Sequence, residues 1–481
     1  MKQHTIFSLI FLAFMLSFTS CKKWTDVNPS TRIKEEQFFS NETGFKDLLT
    51  GVYIKMGDPA LYGREANFGF VDVISQQYDL SVNTFLDQTY PNAEKALYTD
   101  AAVQQIINGI WSNGYNCVAN LNLLLENLNS ADRSLFQAGN FNIIKGEALG
   151  LRAFIHFDML RLFSPSYQAG GANTVSIPYV TKYGNEVPKR VSASEVIALV
   201  LADLIEAENL LKEDPLLTGR TITANDDNGY LMNRKLRFNY YAVLALQARA
   251  YLWSGQPDKA LVAAKKIIEK AESVFPWVLN TALTGSDTNK DRTFTTEYIF
   301  GLYENQMLAN TTGFITDNSQ RGLTVTSSTL NSIYPTAESA ADVRRVYLIR
   351  SSSFGIYFDK LFQPSTNPHP ALTKRMPLIR IPEMYYIAAE ASLDVDKAQS
   401  ITYLNKVRTI RGVSGSILPT ATVAQVRTEI SKEYRKEYVS EGQLFYYNKR
   451  LNNTTVPGFT GTYDTRNYVL PLPPSEIQFG K

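Results

Sequence analysis

Cys21 is the residue of this chain with the most definite chemistry, because of what precedes it. Lys2 is followed by an apolar run from Ile6 to Phe18, broken only by Ser8 and Ser17, and then by Thr19, Ser20 and the cysteine. A positive start, an apolar stretch of about 7–15 residues and small residues at the cut describe a secretory signal, too short to span a bilayer. A cysteine directly behind such a signal can take a diacylglycerol group on its sulfur and become the new N-terminus of a lipid-anchored protein. Phe18 stands three positions ahead of it, where Leu is more usual. The expectation is a signal peptide over 1–20, lipidation at Cys21, and a protein tethered to a membrane surface outside the cytoplasm.

A second set of reactive groups lies near the other end. Glu433, Glu437 and Glu441 are spaced i, i+4, i+8, so a single helix would carry all three carboxylates on one face. A glycosidase needs two carboxyl groups flanking its substrate, whereas residues on one ridge line up side by side. Arg380, Arg408, Arg411 and Arg435 are candidate partners, and ion pairing within the scaffold is the favoured reading. Glu147 with Arg152, and Glu383 with Glu390, are read the same way. Past the signal only His156 and His369 remain, and with Cys21 acylated only Cys117, so a His-rich or two-cysteine metal site is excluded. His156, inside an apolar helical pattern, reads as a packed histidine rather than a base, and Cys117 as a buried thiol. No metal and no cofactor are expected.

Binding, rather than turnover, is suggested by the aromatic residues: 27 Tyr, 26 Phe and 4 Trp, together 12% of the chain. A sugar ring has an apolar C–H face edged by hydroxyls, so an aromatic beside an Arg, Asn or Asp suits it. Two aromatic-rich stretches, 60–100 and 274–360, are the expected ligand face. The candidate platforms are Phe68, Tyr78, Phe85, Tyr90, Trp277, Phe314, Tyr334, Phe354 and Tyr357, with polar reach from Arg64, Asn67, Asp79 and Asn83. A net charge of +2 and no dense basic block argue against a nucleic-acid partner.

The elements that must position these residues are helical. The chain exceeds the roughly 250–300 residues that one core serves, so two lobes or one extended multi-helix body is expected. Helices are predicted from Ser40 or Asn41 to about Lys55, then over about 101–127, 146–163, 192–211, 236–254, 257–273, 380–393, 396–411 and 421–441. Residues 22–34 read as an extended leader, and 57–100 as irregular. ARAYLWSGQPDKALVAAKKI, from Ala248, and AAEASLDVDKAQSITYLNKV, from Ala388, both place Asp-Lys-Ala at the start of a second helix. That is the tetratricopeptide pattern, here dispersed rather than in tandem. The fold expected is therefore mainly α, a tetratricopeptide-like helical superhelix whose long loop and short-β insertions form a ligand-binding face.

The leader CKKWTDVNPSTRIKEEQFFS, the helix GEALGLRAFIHFDMLRLF with Glu147, Arg152 and Phe163, and VPKRVSASEV with Pro188, Arg190 and Ser192 resemble the SusD/RagB family of outer-membrane nutrient-binding lipoproteins. So do IRIPEMYYIAAEA, LNKVRTIRG, EYRKEYVSEGQLFYYNKR and the closing YVLPLPPSEI. Tyr434 departs from it, standing where a second Arg is usual. The resemblance divides the chain into the signal 1–20, an N-terminal SusD-like helical region 21–215 and a C-terminal RagB/SusD region 216–481. The last holds helical pairs at 236–273 and 380–441 around the insertion 274–378.

The resemblance implies a cell-surface protein without catalysis, anchored in the outer membrane by lipid. It would capture an oligosaccharide or peptide and sit as a lid on a SusC-like, TonB-dependent β-barrel transporter. The tetratricopeptide face would meet the transporter and the loop face would hold ligand. The competing readings are a lipid-anchored glycoside hydrolase and a tetratricopeptide adaptor that binds only proteins.

Overall fold

The computed structural model describes residues 30–80, 88–315, 322–353 and 355–480, with side chains from residue 34. The signal segment, Cys21, Asn83, Phe85 and Phe354 lie outside the described residues. The long helices are α1 (Ser30–Phe38), α2 (Glu42–Met56), α3 (Ala101–Ser130), α4 (Asn140–Phe163), α5 (Ala193–Leu210) and α6 (Tyr240–Trp253). They continue as α7 (Pro257–Ile268), α8 (Ile381–Ser392), α9 (Lys397–Arg411), α10 (Val423–Glu437) and α11 (Gln443–Arg450). From α2 to α10 every helix packs on the next one in sequence. Such a quasi-one-dimensional row is the packing logic of a helical superhelix.

Local chemistry starts these helices where the sequence says it should. The Asn41 side chain accepts from Thr43 N–H at 3.0 Å ahead of α2, and Asp100 accepts from Ala102 and Val103 at 3.0 and 3.2 Å ahead of α3. Ser192 and Glu195 close a reciprocal capping box on α5, with bonds of 2.9 and 3.3 Å. Helix α4 is buried around its whole circumference, as its apolar composition requires. Gly150 sits there because a β-carbon would come within 2.3 Å of the Phe238 ring.

The shared Asp-Lys-Ala is less of a repeat than it looks. Ala260, the fourth residue of α7, is fully buried, whereas Ala398 is the second residue of α9 and exposed. The fourth position of α9 is Ser400, buried and donating to the Ala389 carbonyl at 2.6 Å. The helices are equivalent in packing, but the motif is offset by two residues.

Two insertions leave the row. One, residues 57–100, lies between α2 and α3. The other lies between α7 and α8, which pack directly together, so the chain must loop out and return. Between the two insertions, β1 (Val175–Pro178) pairs antiparallel with β2 (Arg190–Ser192) in the connection from α4 to α5. The second insertion contains β3 (Tyr298–Tyr303), β4 (Thr324–Val325), β5 (Ile349–Ser352), β6 (Gly355–Phe358) and β7 (Arg375–Arg380). Strand β3 pairs antiparallel with β7, which runs straight into α8, and a small sheet has the order β4-β6-β5.

Two expectations need correction. Of the expected leader 22–34, residues 30–34 are helical, the start of α1, and 22–29 lie outside the described residues: Lys34, Glu35, Glu36 and Gln37 favour helix, and Glu35 accepts from the Asn127 amide of α3 at 3.1 Å. Helix α10 stops at Glu437 rather than running to 441. Ser440 and Gly442 adopt left-handed backbone (φ +63° and +69°), and a β-carbon at Gly442 would meet the Asn67 carbonyl at 2.8 Å. Among the described residues no helix is long and apolar enough to cross a membrane.

Candidate functional site

The three carboxylates near the C-terminus form a buried ion-pair network. Glu433 and Glu437 leave one face of α10, and the turn after the helix brings Glu441 to the same place. Arg380 of β7 meets Glu437 at 2.6 Å and Glu441 at 2.6 Å. Arg411 of α9 joins Glu437 at 2.9 Å to Glu297 at 2.6 Å. Arg344, from the second insertion, reaches Glu433 at 2.9 Å and Glu437 at 2.8 Å. Burial alone would raise the Glu437 carboxyl, yet Arg411, Arg380 and Arg344 hold it well below the usual carboxylate range. Glu433 is lowered too, by Arg344, Lys436 and Arg408 against its burial. A glycosidase acid must keep its proton and reach substrate; Glu433 and Glu437, fully buried and held ionised, do neither.

Arg380, Arg408 and Arg411 are the partners expected, and Arg344 is one the sequence does not advertise. Arg435 is not a partner. At about 100° per residue it lies about 200° round the helix from Glu433, and it donates instead to the Ser332 carbonyl and hydroxyl at 3.2 and 3.1 Å. Glu147 and Arg152 are scaffold ions but not a pair: Glu147 binds Arg234, and Arg152 binds Asp203 at 2.8 Å. Likewise Glu383 binds Arg249, and Glu390 binds Arg450 at 2.6 Å.

His156 is a structural histidine. Its Nε2 accepts the Val180 N–H at 3.0 Å, its Nδ1 lies 2.9 Å from the Arg152 carbonyl, and Tyr179 stacks on its ring at 4.0 Å. Those partners select the neutral tautomer protonated at Nδ1, and burial pushes the ring down to about 3. Cys117 is fully buried, its thiol pushed up to about 12 by burial.

The loop candidates divide into rings that support and rings that can present. Phe68, Tyr78, Tyr90, Tyr334 and Tyr357 are buried, between 0% and 7% exposed. Tyr78 donates to Asp72 at 2.6 Å, and Tyr334 donates to the Lys436 carbonyl at 2.7 Å. Tyr357 lies opposite Thr324 in the small sheet, with Gly322 against its ring. In this conformation their faces are covered by protein, and of them Phe68 and Tyr90 pack edge-on against Phe314. Trp277 is half-buried but belongs to the helical row, 5.4 Å from Tyr385 of α8 and under the Arg411 guanidinium at 5.5 Å. Asn67 donates to the Pro377 carbonyl at 3.4 Å. Asp79 braces the short helix Ser327–Ile333, accepting from Thr326 N–H at 2.5 Å and from the Thr329 hydroxyl at 3.0 Å.

What remains is compact. Phe314, half-buried, has Tyr90 edge-on at 5.3 Å, Phe68 edge-on at 6.3 Å and the Arg64 guanidinium over its ring at 5.2 Å. The two insertions, far apart in sequence, thus meet here and again where Asp79 N–H donates to the Thr324 carbonyl at 3.0 Å. One residue that sequence reasoning missed holds the group together. Glu65 accepts from Arg64 Nε at 2.7 Å, from the Tyr90 hydroxyl at 2.9 and 3.1 Å, and from Phe70 N–H at 3.1 Å. Its only sequence signal is an acid next to Arg64 in an aromatic-rich loop. Arg64, with 29% of its side chain exposed, can donate to hydroxyls beside the Phe314 ring.

Known families account for this architecture. Residues 23–252 match a SusD-like family described as starch-binding and associating with the outer membrane, and residues 348–456 match the SusD family. The chain belongs to the SusD/RagB family. SusD-like protein P38 of Formosa agariphila is 23% identical over 271 residues, 56% of this chain and 46% of that protein. SusD-like protein P25 of the same organism is 22% identical over 210 residues, 43% of this chain and 38% of that protein. The match thus spans about half or less of the length of these relatives. Among solved structures, a SusD superfamily protein from Bacteroides thetaiotaomicron superposes with a TM-score of 0.69 at 20% identity, covering 92% of this chain and 98% of its own. A SusD-like carbohydrate-binding protein from Bacteroides vulgatus gives 0.69 at 18% identity, over 91% and 96%. At such identities the likeness establishes the fold, a helical superhelix with few short strands.

Proposed function

We propose that this protein captures glycans at the cell surface and passes them to a SusC-like, TonB-dependent outer-membrane transporter, without cutting them. Its anchor is the lipid on Cys21, and its ligand face is the meeting point of the two insertions. The observation carrying this reading is the group of Phe314, Tyr90 and Arg64 held by Glu65, on a fold shared with a carbohydrate-binding relative. A half-buried ring edged by a guanidinium suits the apolar face and hydroxyl rim of a neutral sugar. Phe68 packs edge-on against the Phe314 ring, and Tyr78, Tyr334 and Tyr357 are buried members of the proposed face. Asn67, Asp79, Asn83, Phe85 and Phe354 are further members of the proposed ligand face, and Trp277 is a separate contact. The helical row is the surface offered to the transporter.

A glycan array on the purified protein tests this reading. Saturable binding of a neutral oligosaccharide, weakened at least tenfold by Phe314→Ala and released intact, supports it. Binding indifferent to Phe314→Ala, or hydrolysed product, contradicts it.

A further inference from the structure

A second concavity lies away from Phe314, between the outer side of α10, helix α11, the loop 453–457 and the C-terminal end of the short helix Ser327–Ile333. Its volume, about 340 Å³, falls in the range of small-ligand sites, about 300–1,000 Å³. Its lining contains two cations, Lys432 and Arg435, and no carboxylate. Lys432 already has Glu429 at 2.7 Å. Arg435 has only neutral acceptors, the Ser332 carbonyl and hydroxyl, and each of its terminal nitrogens keeps a second N–H. Burial pushes its guanidinium down to about 10. A half-desolvated charge without a counter-ion is costly to keep, and it contrasts with Arg344, Arg380 and Arg411, each facing two or more carboxylates.

The rest of the lining describes what the counter-ion is attached to. Ile333, Leu444, Val456 and Pro457 give an apolar wall, while Thr428, Ser431 and Asn448 offer hydroxyl and amide groups. A bare inorganic anion would leave both unused. The planar fork of an arginine matches a carboxylate through two parallel bonds. We propose that this groove is a binding site for a carboxylated sugar unit, a uronate, with its carboxylate on Arg435, its C–H face on the apolar wall and its hydroxyls on the Ser, Thr and Asn side chains. This goes beyond the neutral-glycan reading of the loop face and does not rest on it.

The test is titration of the purified full chain with a uronic-acid disaccharide and with the matching neutral disaccharide, at low and high salt. The parent is compared with Arg435→Gln and with Thr428→Tyr, which fills the mouth from an exposed position. The expected result is saturable binding of the di-uronate, at least tenfold tighter than the neutral sugar, weakened by salt and at least tenfold by either variant. Should Arg435→Gln fail to fold, Thr428→Tyr carries the comparison. Both titrations are repeated in a Phe314→Ala background, where loop-face binding is weakened, so that failure here is distinguishable from failure of the loop-face reading. Equal affinity for the neutral sugar, undiminished affinity in the variants, or no di-uronate binding by the parent would overturn the proposal.

Discussion

The two sides of helix α10 carry charge to opposite ends. On the inner side, Glu433 and Glu437 are fully buried and saturated by arginines from β7, α9 and the second insertion. Two residues away in sequence, Arg435 faces a groove whose lining offers no carboxylate. A buried charge whose partners come from several elements ties those elements together, and removing one partner strands the others. Arg435 is held only by the Ser332 carbonyl and hydroxyl, so its charge remains available to a ligand carboxylate. The same sorting applies to the loop aromatics: covered rings hold the insertions, and Phe314 is left to meet something else.

The comparison is broken most severely at Glu437. Glu437→Gln takes one carboxylate from each of Arg344, Arg380 and Arg411 at once, and the expected loss is about 3–5 kcal/mol, read as a lowered denaturation midpoint. A change below about 1 kcal/mol would mean the network is not structural.

Acid should act on the buried scaffold as well. His156 is held at about 3, below its ordinary value, so the unfolded chain takes up a proton near pH 6.5 that the folded chain refuses. Its contribution is complete above about pH 6.5 and is lost as pH falls toward 3, a matter of roughly a few kcal/mol. The depressed Glu433 and Glu437 act in the same direction at lower pH, stabilising above their unfolded values and losing that as they protonate. His156→Gln is expected to flatten the fall in stability between pH 6.5 and 4, measured by denaturant titration at each pH. An unchanged slope would refute the assignment. The smallest effect sharpens the contrast: Arg435→Gln should change stability by about 0.5 kcal/mol or less, against the large loss at Glu437.

Much of the scaffold was legible because it is written locally. Asn41 and Ser192 cap helices by side chains two or three positions from the bonds they make, and the apolar circumference of 146–163 could only be a buried helix. The end of α10 was not, because its periodicity runs on to Glu441 while Ser440 and Gly442 bend the backbone so that their N–H groups donate to Asp72 in the first insertion. Arg344 as a partner of Glu433 and Glu437 lies about 90 positions away, and no local pattern marks such a pairing. The aromatic loops were found as a region but not sorted within it. Phe68 and Phe314 look alike in sequence; only the meeting of the two insertions covers one and leaves the other half-open. Asp79, read as polar reach for a ligand, also braces the short helix at 327–333, a role no local pattern marks.

Hydroxyl-radical footprinting of the protein with and without a bound neutral oligosaccharide addresses the central claim most directly. Capture at the insertions predicts that Phe314 loses reactivity on binding while the exposed helical row is unaffected. Protection confined to the helical row, with Phe314 as reactive as before, would contradict the account.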